Sequence, residues 1–165
     1  APHRRSSRRR RPGVVNEQAV DIWEAWATGR WAVIPTNCQT RPDGRAVMGA
    51  GLAKAAAARF SGIDRSYGRA IARGEVNLAL PAHRLLLAPT KDHWSDPSSL
   101  DLVASSCHAV AAYAFRRNVS LVVPKLGCGL GGLDWADVGP VVDDAFACVD
   151  YVIAAPVGTA HGPPT

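Results

Sequence analysis

Four short apolar runs, WAVIPT (31–36), HRLLLAP (83–89), VSLVVP (119–124) and YVIAAP (151–156), recur along the chain without the polar alternation of a sheet that is wet on one face. A strand of that kind must be covered on both sides. The segments between the runs have helical character and can supply the cover. AVMGAGLAKAAAARF (46–60) is rich in alanine. SSLDLVASSCHAVAAYAFRRN (98–118) sets Val103, Cys107, Val110 and Ala114 on roughly one face, with Ser98 or Ser99 available as N-cap and Arg116 and Arg117 at the negative end of the dipole. A last helix is expected over 134–148, with Pro140 kinking it or marking a restart. Strands alternating with helices predict an α/β sandwich around a largely parallel sheet.

Ligands of such sheets sit where strands hand over to loops and helix N-termini, so the residues just after each run carry the information. Gly49 and Gly51 open a helix after the first run, and Gly127, Gly129, Gly131 and Gly132 crowd PKLGCGLGGLDW (124–135) after the third. Backbone N–H groups without neighbouring Cβ atoms form anion sites, and two such loops could clasp a diphosphate. Plain tight turns account for the spacing equally well. No GxxxxGK[ST] is present, and GCGLGG lacks the context of a dinucleotide fingerprint.

Lys91, one of only three lysines, follows the second run. It is a surface charge, or a group that can lose its proton and act as nucleophile or base, as arginine cannot. Asn37 could offer its amide to a sugar hydroxyl or close an Asx turn. Asp21 could simply cap a short helix. Of the five tryptophans, Trp94 and Trp135 stand beside these loops.

A chain of 165 residues with 47% hydrophobic content suffices for one packed domain. Its charge of +5 points toward nucleic acid only superficially. Six of the 19 basic residues are the arginines of APHRRSSRRRRPG, which leaves 13 basic against 14 acidic residues elsewhere. The expected organisation is a disordered basic tail over 1–13, one domain over 14–157 and a flexible tail over 158–165. Cys38, Cys107, Cys128 and Cys148 form no CxxC pair or zinc-finger spacing, and no apolar stretch approaches the about 20 residues of a membrane helix. A cytoplasmic, monomeric protein with reduced thiols, no metal, no cofactor and no membrane partner is expected.

Taken in order, VDIWEAW, AVIPTNCQT, AVMGAGLAKAAAARFSG, LLLAPTKDHWSDPSSL and VPKLGCGLGGLDWADV resemble a macro domain from about Val14 to Ile153. The resemblance is to the branch with the terminal ADP-ribose glycohydrolase and the macro domains of bacterial DNA-ADP-ribosylation antitoxins. It implies a three-layer α/β/α sandwich with a mixed, largely parallel central sheet, and ADP-ribose as ligand. By position, Asp21 and the backbone of Ile22 would meet the adenine and Asn37 the distal ribose. Met48, Gly49, Ala50 and Gly51 would form one loop around the distal ribose and diphosphate, and Gly127, Cys128, Gly129, Leu130 and Gly131 the other. Lys91 matches the branch's catalytic lysine, acting at the anomeric carbon of the distal ribose by a transient adduct or by stabilising charge and orienting water. The eukaryotic glycohydrolase has an aspartate directly after GCGL where this chain has Gly131, while the antitoxin type has glycine. Asp92, Asp96 and Asp134 are the nearby carboxyls in sequence. An adenine-stacking aromatic after the last strand is replaced by Pro156 and Val157.

The resemblance implies an ADP-ribosyl hydrolase that removes mono-ADP-ribose from an ester-linked acceptor, an acidic side chain of a protein. A carboxylate leaves readily from the anomeric carbon without a dedicated acid. The alternatives are hydrolysis of ADP-ribosylated DNA bases, which the arginine tail would suit, and a reader without turnover, against which Lys91 speaks.

Overall fold

The computed structural model describes residues 20–156. The basic tail over 1–13, the C-terminal tail over 158–165 and the outer boundaries of the expected domain lie outside the described residues.

The four apolar runs form β1 (Trp31–Thr36), β3 (Leu85–Pro89), β4 (Leu121–Val123) and β5 (Tyr151–Ile153), parallel neighbours in the order β3-β1-β4-β5. Their side chains feed two separate cores. Ala32, Ile34, Leu85, Leu87, Val122 and Val152 enter one, while Val33, Leu86, Leu121, Val123, Tyr151 and Ile153 enter the other. Successive side chains of a strand point to opposite faces, which explains why these runs carry no polar alternation. A fifth strand, β2 (Leu78–Leu80), pairs antiparallel with β3 at the edge and makes the sheet mixed. Three half-buried residues ahead of Pro81 are too short a run to stand out in the sequence.

α1 (Ile22–Ala27), α2 (Gly51–Arg59) and α3 (Ile63–Ala72) cover the first face, and α4 (Leu100–Arg117) and α5 (Trp135–Ala145) the second. The result is the expected α/β/α sandwich. In α4, Val103, Cys107, Val110 and Ala114 are buried, the Leu102 N–H donates to the Ser99 side chain, and Asn118 ends the helix in left-handed conformation. α2 starts later than the alanine-rich segment suggests. Residues 46–50 lie outside the helix instead, with Ala46 bridging to Thr40 and donating its N–H to the Asp64 carbonyl. α3, between the first and second runs, adds a helix the sequence reading did not mark. α5 passes through Pro140 without a restart and ends at Ala145, short of the expected 148.

Tyr67 of α3 is fully buried, and its hydroxyl lies 2.7 Å from Thr36 Oγ1 and donates to the Val76 carbonyl at 2.6 Å. That contact anchors the carboxyl end of β1. No helix among the described residues is long and apolar enough to cross a membrane.

Candidate ligand-binding site

The carboxyl ends of β1, β3, β4 and β5 open into one cleft of about 750 Å³, within the range of small-molecule sites. Eleven of the thirteen residues named from the sequence line it: Ile22, Asn37, Gly49, Ala50, Gly51, Lys91, Gly127, Cys128, Gly129, Leu130 and Gly131. Asp21 and Met48 do not. Met48 is 4% exposed and packs into the core beneath the first loop. Asp21 is the N-cap of α1, its Oδ2 accepting the N–H groups of Trp23 at 2.9 Å and Glu24 at 3.3 Å.

One wall is the start of α2. Ala50, its N-cap, has no side chain to accept a hydrogen bond, and the first helical bond there is from the Lys54 N–H to the Ala50 carbonyl. The N–H groups of Gly51, Leu52 and Ala53 precede that bond and belong to residues that line the cleft. Uncapped N–H groups at the positive end of a helix dipole constitute an anion site.

The facing wall is the loop after β4. Gly127 has φ +72, a conformation that favours glycine. The Leu133 N–H donates to the Gly127 carbonyl and the Ser98 N–H to that of Gly131, both at 2.9 Å. A Cβ on Gly131 would fall 2.0 Å from Ser98 Oγ and 2.6 Å from the Gly127 carbonyl oxygen. Leu130 is 81% exposed at the rim. The helix dipole contributes less here than the glycine spacing suggests. Asp134 caps α5 by accepting the Ala136 N–H, and neither Asp134 nor Trp135 lines the cleft.

Lys91 stands two residues beyond the end of β3, half-buried and lining the cleft. Thr90, just before it, extends the parallel ladder by donating its N–H to the Thr36 carbonyl at 3.0 Å. Asn37 closes an Asx turn, its Oδ1 accepting the Gln39 N–H at 2.9 Å, and also spans the first loop by donating from Nδ2 to the Val47 carbonyl at 3.0 Å. The turn leaves one amide N–H for a ligand.

Sequence reasoning missed Thr36 and Thr90, and marked Ser98 only as a candidate N-cap and Asp96 only as a nearby carboxyl, yet all four line the cleft. Hydroxyl residues at strand ends carry no signal on their own, and only the register of β3 against β1 brings Thr90 beside Thr36. Trp94 lines the cleft and is 59% exposed. The four cysteines are free. Burial pushes the Cys128 thiol up, opposed by Lys125 and assisted by Asp134, so this cleft-lining sulfur is held as a thiol and not as a nucleophile. Among the described residues no group of histidine, cysteine, aspartate or glutamate is arranged to hold a metal ion.

No protein-family profile matches the chain. Individual proteins do. It is 35% identical over 127 residues to the DNA ADP-ribosyl glycohydrolase of Mycobacterium tuberculosis, across 68% of this chain and 36% of that protein. It is 27% identical over 108 residues to the human ADP-ribose glycohydrolase OARD1, across 64% of this chain and 71% of that one. The fold superposes on the macrodomain of Mycobacterium tuberculosis DarG with a TM-score of 0.72 and 31% identity, over 87% of this chain and 99% of the other. On Thermosipho africanus DarTG in complex with ADP-ribose the TM-score is 0.65 at 25% identity, over 79% and 39%. The chain thus spans about a third of the length of the mycobacterial relative.

Proposed function

The chain belongs to the macro domain family, in the branch of the DNA ADP-ribosyl glycohydrolases and the ADP-ribose glycohydrolase OARD1, and from that premise we propose that it is a hydrolase releasing mono-ADP-ribose from an acceptor joined to the anomeric carbon of the distal ribose. The observation that carries this reading is that Lys91 opens into the same cleft as the uncapped start of α2 and the glycine loop after β4. The two loops take the diphosphate between them, and Asn37 and Lys91 take the distal ribose. The adenosine end lies toward Ile22, Ala154 and Pro156, where apolar packing stands in for an aromatic ring.

The acceptor in this reading is a carboxylate ester on a protein. The reaction breaks the bond from the anomeric carbon to the ester oxygen with its electron pair on the acceptor. Water supplies the new oxygen and gives up one proton. A departing carboxylate is a weak base and needs no strong acid, which suits a cleft with glycine at 131. Similarity to the ADP-ribose glycohydrolase OARD1 supports the hydrolase reading. A second reading, an ADP-ribosylated DNA base, is favoured by the higher identity to the mycobacterial DNA enzyme and by Trp94, an exposed ring at the cleft on which a planar base can stack. We place the protein in the cytoplasm, as a monomer, on the strength of its four unpaired thiols and its self-contained cleft.

The test is release of ADP-ribose from a glutamate-modified protein and from base-modified DNA, beside calorimetric binding of free ADP-ribose. Turnover of either substrate supports the hydrolase, and their ratio assigns the acceptor. Binding without turnover of either contradicts it.

A further inference from the structure

Resting on the hydrolase reading, we propose that the buried hydroxyl pair of Thr90 and Ser98 supplies the hydrogen bond to the departing acceptor atom beside Lys91, and that position 131 is glycine because Ser98 and the Gly127 carbonyl together fill its side-chain space. Three observations converge on this pair.

The first is steric. A Cβ on Gly131 would meet Ser98 Oγ at 2.0 Å, the Gly127 carbonyl oxygen at 2.6 Å and Ser98 Cβ at 2.8 Å. Real Cβ atoms do not approach so closely, so an aspartate at this position cannot coexist with Ser98 in this backbone. The chemistry available at that point of the cleft is therefore that of Ser98.

The second is placement. Ser98 is 6% exposed and Thr90 3%, yet both line the cleft. Ser98 is pinned to the second loop by its N–H, which donates to the Gly131 carbonyl at 2.9 Å, while the next N–H, of Ser99, donates to the Thr90 carbonyl at 2.9 Å. The pair thus ties the segment after β3 to the glycine loop.

The third is the direction of the hydrogen bonds. Ser98 Oγ donates to Thr90 Oγ1 at 3.2 Å, and no acceptor for the proton of Thr90 lies among the described residues. A hydroxyl that accepts one bond becomes a better donor of the next. Thr90 Oγ1 already accepts from Ser98, and its own proton is available to a ligand atom in the cleft that Thr90 lines. Thr90 immediately precedes Lys91, so the atom it serves is at the scissile end of the ligand. No proton moves along the pair: the acceptor departs with the electron pair of its bond and takes the Thr90 hydrogen bond as it goes.

Steady-state turnover of the full chain on glutamate-modified protein tests the donor. Thr90→Val keeps the shape and removes the hydroxyl. It should lower kcat by roughly 100-fold, as loss of one preorganised donor does, while KM and the affinity for free ADP-ribose stay within about threefold. Thr90→Ser should keep kcat within about fivefold, and Ser98→Ala should fall between the two. Wild-type kcat in Thr90→Val, or equal losses in Thr90→Val and Thr90→Ser, would overturn the donor role. The steric claim is read by ADP-ribose binding alone. Gly131→Asp should abolish binding, and adding Ser98→Gly should restore it in part, the contact with the Gly127 carbonyl remaining, a coupling expected only of residues in contact. Equal losses in both backgrounds would overturn it. A wild type that binds ADP-ribose but turns over neither substrate brings down the hydrolase reading and the donor role together, and leaves the Gly131–Ser98 coupling to be judged by binding.

Discussion

The Tyr67 hydroxyl lies 2.7 Å from Thr36 Oγ1, and through it a helix on one face of the sheet holds the floor of the cleft. The same hydroxyl donates to the Val76 carbonyl, so one buried oxygen joins β1, α3 and the approach to β2. Tyr67→Phe strands the carbonyl and leaves Thr36 without its partner. We expect a loss of about 1–3 kcal/mol in urea unfolding, the usual cost of an orphaned buried polar group, with the fold retained. An unchanged midpoint would mean that this bond anchors nothing.

The uncapped start of α2 predicts a trade between stability and binding. Ala50 has φ −145 and ψ 158, the extended conformation of an N-cap residue. Ala50→Asp should cap the helix and raise stability by about 0.5–2 kcal/mol in thermal or urea unfolding. The same carboxylate would satisfy the N–H groups meant for the diphosphate and repel it. Calorimetry should find ADP-ribose affinity at least about tenfold weaker. Tighter binding in this variant would relocate the diphosphate.

Much of the framework is legible in the sequence because its signals are local. The apolar runs mark strands buried on both faces, and Val103, Cys107, Val110 and Ala114 mark the inner face of α4. The glycines mark both loops. What escapes is what depends on register and approach. Nothing local to Ser98 says that it fills the space beside Gly131, thirty-three positions away, and nothing local to Ala50 says that its lack of a capping group leaves helix N–H groups for a ligand. β2 escapes because an edge strand of three residues has no period to read. Asp21 shows the reverse: the plain capping role expected of it is the one the structure displays.

Alkali should unfold the protein earlier than its surface charges alone would. Burial pushes the Cys107 thiol from 9.0 up to about 12 and raises the Tyr67 phenol as well. The unfolded chain releases these protons first, so between about pH 9 and 12 the folded state binds more protons and stability falls as pH rises. The full contribution is present below about pH 9. Each such group adds up to about 1.4 kcal/mol per pH unit to the decline. Urea midpoints measured at pH 8, 9.5 and 11 should fall progressively, and Cys107→Ala should make the fall shallower. A parallel fall in that variant would remove Cys107 from the account.

Trp94 separates the two acceptors. Its exposed ring serves a stacked base but has no role toward a carboxylate ester. Trp94→Ala should lower kcat/KM on base-modified DNA by roughly 10- to 100-fold, the range of one base–aromatic stack, and change turnover of the glutamate ester by less than about threefold. Equal effects on both substrates would assign the ring to the cleft's shape and not to the acceptor.

The cleft is expected both to bind ADP-ribose and to cleave at its distal end through Lys91. Lys91→Ala, compared with wild type for ADP-ribose affinity and for release from both substrates, tests it most directly. Affinity should stay within about fivefold of wild type while kcat falls by at least about 100-fold, the scale of losing a positioned catalytic group. Undiminished release by Lys91→Ala would contradict it.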